Sequence, residues 1–354
     1  MKGLEFPIIA TKTKGVGRRF NLSDPVERKK YFQAKVGDEI VQITKYLKKK
    51  TFVAYWLGKK NSGKGTYSHL FTEIFGDERV ALVSVGDVVR DTANNWEKFA
   101  KSRDFTKLQS IYRGYISFEE AVSSLLGKTQ DKLLPTEFIL ALLKVKIEKL
   151  KGKTIFIDGL PREMDQVSYS LYFRDLMGYR DDPDIFILID IPEAVIAERI
   201  KYRVVCPMCH DLRSTKLYMS KEVEYDQKEG KFYLLCDNPK CKKQRMVSKE
   251  GDELGLGPIR GRLDKDEEIL KKAFAIYGVP KILLRNHVPV SEAKLFDDYE
   301  FTPEYILKWN KKGKKVEIGE KKWVIKDDNG VESFSFLPAP VVVTLIKQLA
   351  DILG

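Results

Sequence analysis

The sequence predicts an α/β protein: a parallel sheet of about five strands covered on both faces by helices. Three observations carry this reading. Short, continuous apolar runs at residues 51–57, 80–84, 154–158 and 185–190 read as buried strands, because a parallel strand hides both of its faces. Helical segments separate these runs, as parallel crossovers require. A glycine-rich turn, Gly58 to Thr66, links the first run to a helical segment from Tyr67 to Phe75.

Taken in order, residues 1–50 form an N-terminal extension. Ser23-Asp24-Pro25 reads as a helix start, with Ser23 or Asp24 capping and Pro25 in the first turn. Spaced apolar positions (Val26, Tyr31, Phe32, Val36, Ile40, Ile43, Leu47) then predict an amphipathic helix packed on the core. The turn that follows the first strand has the spacing of a phosphate cradle. Backbone N–H groups of Asn61, Ser62, Gly63, Lys64, Gly65 and Thr66 close around an anion, the helix start adds partial positive charge, and Lys64 reaches the outer phosphates. The hydroxyl that usually follows the lysine is delayed by Gly65 to Thr66. A fifth strand is expected late in the chain, and Val341 to Leu353 reads as a closing helix. Lys314–Lys326 and Glu332–Leu337 are expected to pair as a hairpin across Asp327-Asp328-Asn329-Gly330, an Asn-Gly turn.

Further motifs follow in a fixed order: Ser84-Val85-Gly86-Asp87 to Arg90; Lys132-Leu133-Leu134; Asp158-Gly159-Leu160-Pro161-Arg162 with Gln166; Asp190 to Arg199 and Arg203; and Arg262-Leu263-Asp264 opening a helix. With the Gly-Lys-Gly-Thr loop, this order resembles the adenylate kinase family of nucleoside monophosphate kinases over roughly residues 51–280. The resemblance implies a P-loop NTPase-type core (51–89, 146–199 and 262–354, interrupted at about 286–335). It also implies a monophosphate-binding subdomain (90–145) and a lid (200–261). The activity it implies is reversible, Mg²⁺-dependent phosphoryl transfer from ATP to AMP, giving two ADP. Lys64, Arg162, Arg199, Arg203 and Arg262 would be the catalytic set. Asn61 to Thr66 and Arg199 would bind ATP. Val85, Arg90, Lys132, Leu133, Leu134, Gly159, Arg162, Gln166 and Arg262 would bind AMP, and Asp158 would hold waters of the Mg²⁺ shell.

The chain departs from the family at two of these places. Val85 stands where adenylate members carry a hydroxyl residue, which keeps a UMP/CMP-type kinase open as an alternative. Ala273 stands eleven residues after Arg262, where a second phosphate-binding arginine is usual, with Lys272 beside it. Three stretches are longer than in the family: 91–131, 206–261 and 286–335. A nucleotide-binding relative without catalysis, its lid engaging protein or nucleic acid, is a further alternative.

All four cysteines lie in the lid segment: Cys206, Cys209, Cys236 and Cys241. Two close pairs match a four-thiolate structural Zn²⁺ site, although the second pair is spaced by four residues. Disulfides and bare thiols remain alternatives, as does the Cys206-x-x-Cys209-His210 spacing of covalent haem attachment.

The formal net charge is +12, from 63 Lys and Arg against 51 Asp and Glu. No RNA- or DNA-binding motif accompanies it. The lysine runs at Lys48–Lys50, Lys242–Lys243 and Lys311–Lys315 are therefore read as solvated surface, and nucleic acid is not the expected partner. No apolar run approaches a membrane span, and the N-terminus lacks the plan of a secretory signal. A cytoplasmic monomer acting on ATP and AMP is the expectation.

Overall fold

The computed structural model describes residues 3–13, 17–127, 134–150, 152–161, 182–209 and 211–354. Five parallel strands form the central sheet: β1 (Val53–Gly58), β2 (Val80–Ser84), β3 (Thr154–Asp158), β4 (Asp184–Asp190) and, after five short strands described below, β10 (Lys281–Arg285). Their order is β10-β4-β1-β3-β2, every pairing parallel. The four apolar runs thus become four neighbouring strands, and β10 is the expected late one.

Side chains alternate across a strand, so each run feeds two cores. Ala54, Trp56, Phe156, Ile187 and Leu284 face one side. There they meet Tyr67 and Phe71 of the loop helix (Lys64–Phe75), Tyr31 and Phe32 of the N-terminal helix, and Val342 and Ile346 of the C-terminal helix (Pro338–Leu353). Tyr55, Leu57, Ile157 and Leu188 face the other side, against Leu143 and Ile147 and against Ile269, Leu270 and Ala273.

The N-terminal helix spans Pro25–Leu47, with Asp24 accepting from the N–H groups of Val26 at 2.9 Å and Glu27 at 3.0 Å. It is pinned to the far end of the chain by buried polar contacts. Lys35 Nζ lies 2.7 Å from Asp297, and the Tyr31 hydroxyl donates to Glu300 at 2.5 Å. On the β2 side, helices Arg103–Ile111, Phe118–Leu125 and Thr136–Ile147 surround an aromatic cluster that includes Tyr112, Phe118 and Phe138.

Residues 203–248 form two small antiparallel sheets. β5 (Arg203–Val205), β6 (Leu212–Ser214) and β9 (Val247–Ser248) pair in the order β6-β5-β9, while β7 (Val223–Asp226) pairs with β8 (Lys231–Leu234). The helix Glu193–Lys201 leads into this region and Arg260–Ala275 leads out.

Segment 286–335 corrects the expected single hairpin. β12 (Pro303–Asn310) pairs with β13 (Lys315–Lys322), and only β14 (Val324–Lys326) pairs with β15 (Glu332–Ser335), beside β11 (His287–Pro289). The run Lys314–Lys326 is divided because Trp323 turns inward, 5% exposed, to pack with Ile196 and Leu217. The turn itself is as expected: Asp327 Oδ1 accepts from the N–H groups of Asn329 and Val331, and Gly330 takes φ +81°. The β12–β13 ribbon leans on the 203–248 region. Trp309 stacks on Tyr225 with centroids 5.0 Å apart, and the Tyr305 N–H donates to the Lys216 carbonyl at 2.8 Å.

Candidate active site in the phosphate-loop cleft

The turn after β1 fixes an unusual backbone. Gly63 takes φ +105°, and a Cβ there would sit 2.8 Å from the Tyr67 ring; Asn61 takes φ +66°. Only glycine tolerates both the conformation and the crowding at position 63. Lys64 then opens the loop helix, so its N–H and those of the next residues point toward the turn.

Lys64 is 14% exposed. Its ammonium donates to the carbonyls of Gly58 at 2.8 Å and Lys59 at 3.3 Å, with Asp158 at 3.8 Å. The Ser62 hydroxyl and Asn61 Nδ2 are buried with no partner among the described residues. Buried donors of this kind would suit an acceptor held in the loop.

Around the loop lies a cleft of about 460 Å³. Asn61 to Thr66 form its floor, Asp158 and Gly159 its β3 side, and Arg199, Arg203 and Arg262 its upper wall. Two of the arginines are held, not loose. Arg199 donates to the Asn61 carbonyl at 3.0 Å and to Asn286 Oδ1 at 3.4 Å. Arg203 forms a fork with Asp252, at 2.5 and 2.6 Å, and reaches Asn61 Oδ1 at 3.0 Å.

Other expected residues lie elsewhere. Arg90 is exposed and paired with Asp87. Val85 is 1% exposed, packed in the core beneath β2 and β3, while its neighbour Ser84 caps the helix by accepting from the Asp87 N–H at 3.3 Å. Leu134 packs with the aromatic cluster. Arg162, Gln166, Lys132, Leu133 and His210 lie outside the described residues. Ala273 is fully buried against the sheet and does not line the cleft.

Sequence reasoning gave residues 286–338 no place in the site, yet Thr302, Trp323 and Ser335 to Pro338 line the cleft together with Leu217 and Tyr218.

The glycine loop, Lys64 and three arginines thus line one cleft. The chain is similar to adenylate kinases. It is 24% identical to that of Mycoplasma mobile over 225 residues, 63% of this chain and 79% of the relative. It is 26% identical to that of Thermotoga neapolitana over 231 residues, covering 65% and 87%. Similarity extends to a probable UMP-CMP kinase 2 of Arabidopsis thaliana, 24% identical over 53% of this chain and 64% of the relative. No family model matches the chain. Among the described residues, no helix is long and apolar enough to cross a membrane.

The four cysteines converge, as their spacing in two close pairs leads one to expect. All are free, and their Sγ atoms lie within 4.8 Å of one another. The Cys209–Cys236 separation of 3.5 Å is too long for a disulfide. It is close to the roughly 3.8 Å between thiolates in tetrahedral coordination with metal–sulfur bonds of about 2.3 Å. Without a cation the thiols compete for charge. The Asp211 N–H lowers Cys209 to about 7, while burial pushes Cys236 up to about 11 and Cys241 up to about 12. A divalent cation would relieve that competition, so the donor set suits a metal.

Proposed function

We propose that the chain is a nucleoside monophosphate kinase that transfers the γ-phosphoryl group of ATP to AMP, reversibly, giving two ADP. One observation carries the reading above all: Lys64, Arg199, Arg203 and Arg262 converge on a single cleft whose floor is the glycine loop. Phosphoryl transfer asks a protein to align two nucleotides, neutralise charge and exclude water, and this arrangement is suited to all three.

In this reading Lys64 leaves the Gly58 and Lys59 carbonyls for the donor's outer phosphates. Ser62 Oγ and Asn61 Nδ2 acquire partners at the same time. Arg199 and Arg203 serve the donor, and Arg262 stands between the two nucleotides. Arg90 and Arg162 take the acceptor's phosphate, and Gln166 reads its base. The donor's base lies against the Thr302 and Trp323 side of the cleft. Asp158, 28% exposed at the end of β3, would hold waters of a Mg²⁺ hydration shell, and the cation would supply charge neutralisation to the phosphates. Cys206, Cys209, Cys236 and Cys241 hold Zn²⁺, which staples a region too small to maintain its own core.

The test is a coupled assay of ATP and Mg²⁺ with AMP, CMP, UMP and GMP. Transfer to AMP in preference to the others is expected. A preference for UMP or CMP would move the chain to that class of kinase. No transfer to any monophosphate by folded, nucleotide-bound protein overturns the reading.

A further inference from the structure

The phosphate loop begins with two extra lysines, and the first of them is not in the cleft. Lys59 is 1% exposed, and the cleft is lined only from Lys60 onward. Its ammonium lies 2.9 Å from Glu267, 3.4 Å from Glu193 and 3.6 Å from Asp328. Burying an ammonium is costly unless it is paired, so this triple contact needs an explanation in what it joins.

The three carboxylates come from three different elements. Glu193 is the first residue of the helix leading into the 203–248 region, and Glu267 lies on the helix leading out. Asp328 sits in the β14–β15 turn, and its Oδ1 also accepts the Glu193 N–H at 2.9 Å. Glu193 extends the chain of charges to Arg260 at 2.6 Å, and Glu267 to Lys271 at 2.9 Å. Three cations therefore balance three anions across the roots of both flanking helices. The next two loop residues repeat the pattern: Lys60 donates its N–H to Asp266 at 2.9 Å, and Asn61 is held by Arg199 and Arg203.

The geometry points to Lys59 as a positioning residue, which locks the phosphate loop in register with the two helices that carry Arg199 and Arg262, with Asp328 bringing segment 286–335 into the same joint. The catalytic part of this inference rests on the kinase reading above; the joint itself does not. A displacement of about 1 Å between reacting groups costs up to roughly 100-fold in rate, so a joint far from the chemistry can set turnover.

The experiment pairs hydrogen exchange with turnover in Lys59→Met, a variant of similar length without the charge. Backbone amides in 193–203 and 260–267 are expected to exchange at least about tenfold faster, while amides of β1 and β4 keep their protection. The kcat should fall about tenfold or more, with the donor KM changed much less. Unchanged exchange at both helix roots overturns the proposal whether or not the wild type transfers phosphate. If the wild type is active and the variant keeps its kcat, the catalytic part fails alone; an inactive wild type fails the kinase reading instead. Should Lys59→Met expose the sheet as well, Asp328→Asn decides. It keeps an acceptor for the Glu193 N–H while removing one charge, and must loosen the same two roots to uphold the proposal.

Discussion

The ammonium of Lys64 hydrogen-bonds to the carbonyl of Gly58 at 2.8 Å, closing the loop on itself. The lysine is thus pre-positioned at the mouth of its own cradle, and a phosphate oxygen need only displace a carbonyl. Lys64→Ala should lower turnover by about 100-fold or more, since a charge facing the developing transition state is lost. Thermal stability should change little by comparison. A coupled assay and a melting curve on the same sample check both.

The cysteine cluster makes a prediction about composition. Purified protein should contain one equivalent of zinc by elemental analysis, and Cys206→Ser should lose it. Thiolates bind metal and thiols do not, so acidification should release the metal. A chelator should increase protease cleavage within 203–248 before the central sheet unfolds.

His287 should make the fold sensitive to acid. It is 1% exposed; burial lowers it to about 4 against the pull of Asp190, and the Arg285 guanidinium, donating to Nε2 at 3.1 Å, lowers it further. The folded form keeps the ring neutral, whereas the unfolded chain takes up a proton near pH 6.5. This group therefore costs nothing above that pH and destabilises the fold progressively from about 6.5 down to about 4. The loss amounts to roughly 3 kcal/mol. Denaturant melts at pH 7 and pH 4.5 should show the difference, and His287→Gln should reduce it.

Ala273→Arg tests the missing arginine. Family resemblance alone would expect a gain in rate, but Ala273 is fully buried beside Ile269 and Leu270. A guanidinium there would be both oversized and unpaired, costing about 3 kcal/mol or more. Loss of stability without gain in kcat is expected, read by melting and by turnover.

Trp323→Leu tests the cleft wall. The indole lines the pocket, as does Tyr218. Trimming it should raise the donor KM several-fold, equivalent to about 1 kcal/mol, with kcat less affected, because the contact is made equally before and during transfer. Initial rates at varied ATP and saturating acceptor measure it.

What was legible in the sequence follows from how far each signal reaches. β1, the glycine loop and its helix are specified within some 25 consecutive residues, where periodicity and spacing act locally. The lysine runs at Lys48–Lys50 and Lys311–Lys315 are exposed as expected. Lys35 and Lys59 look no different in the sequence, yet both are buried, because their carboxylate partners Asp297, Glu193, Glu267 and Asp328 lie well over a hundred residues away. The β13 strand was misassigned for a related reason: its apolar pattern is weak, and the partner was decided by Trp323 turning inward. Within the site, the loop lysine and three arginines were found from motifs, whereas Thr302 and Trp323 arrive through a long-range fold that no local pattern encodes.

The stack of Trp309 on Tyr225, with the Tyr305–Lys216 hydrogen bond beside it, has an energetic consequence of its own. These contacts tie the β12–β13 ribbon to the region around the cysteines, so that region does not swing freely of it. Any outward excursion must first give up an aromatic contact and a backbone hydrogen bond, each worth about 1 kcal/mol. In the kinase proposed above, the rate at which products leave would then be governed by how often the ribbon peels away.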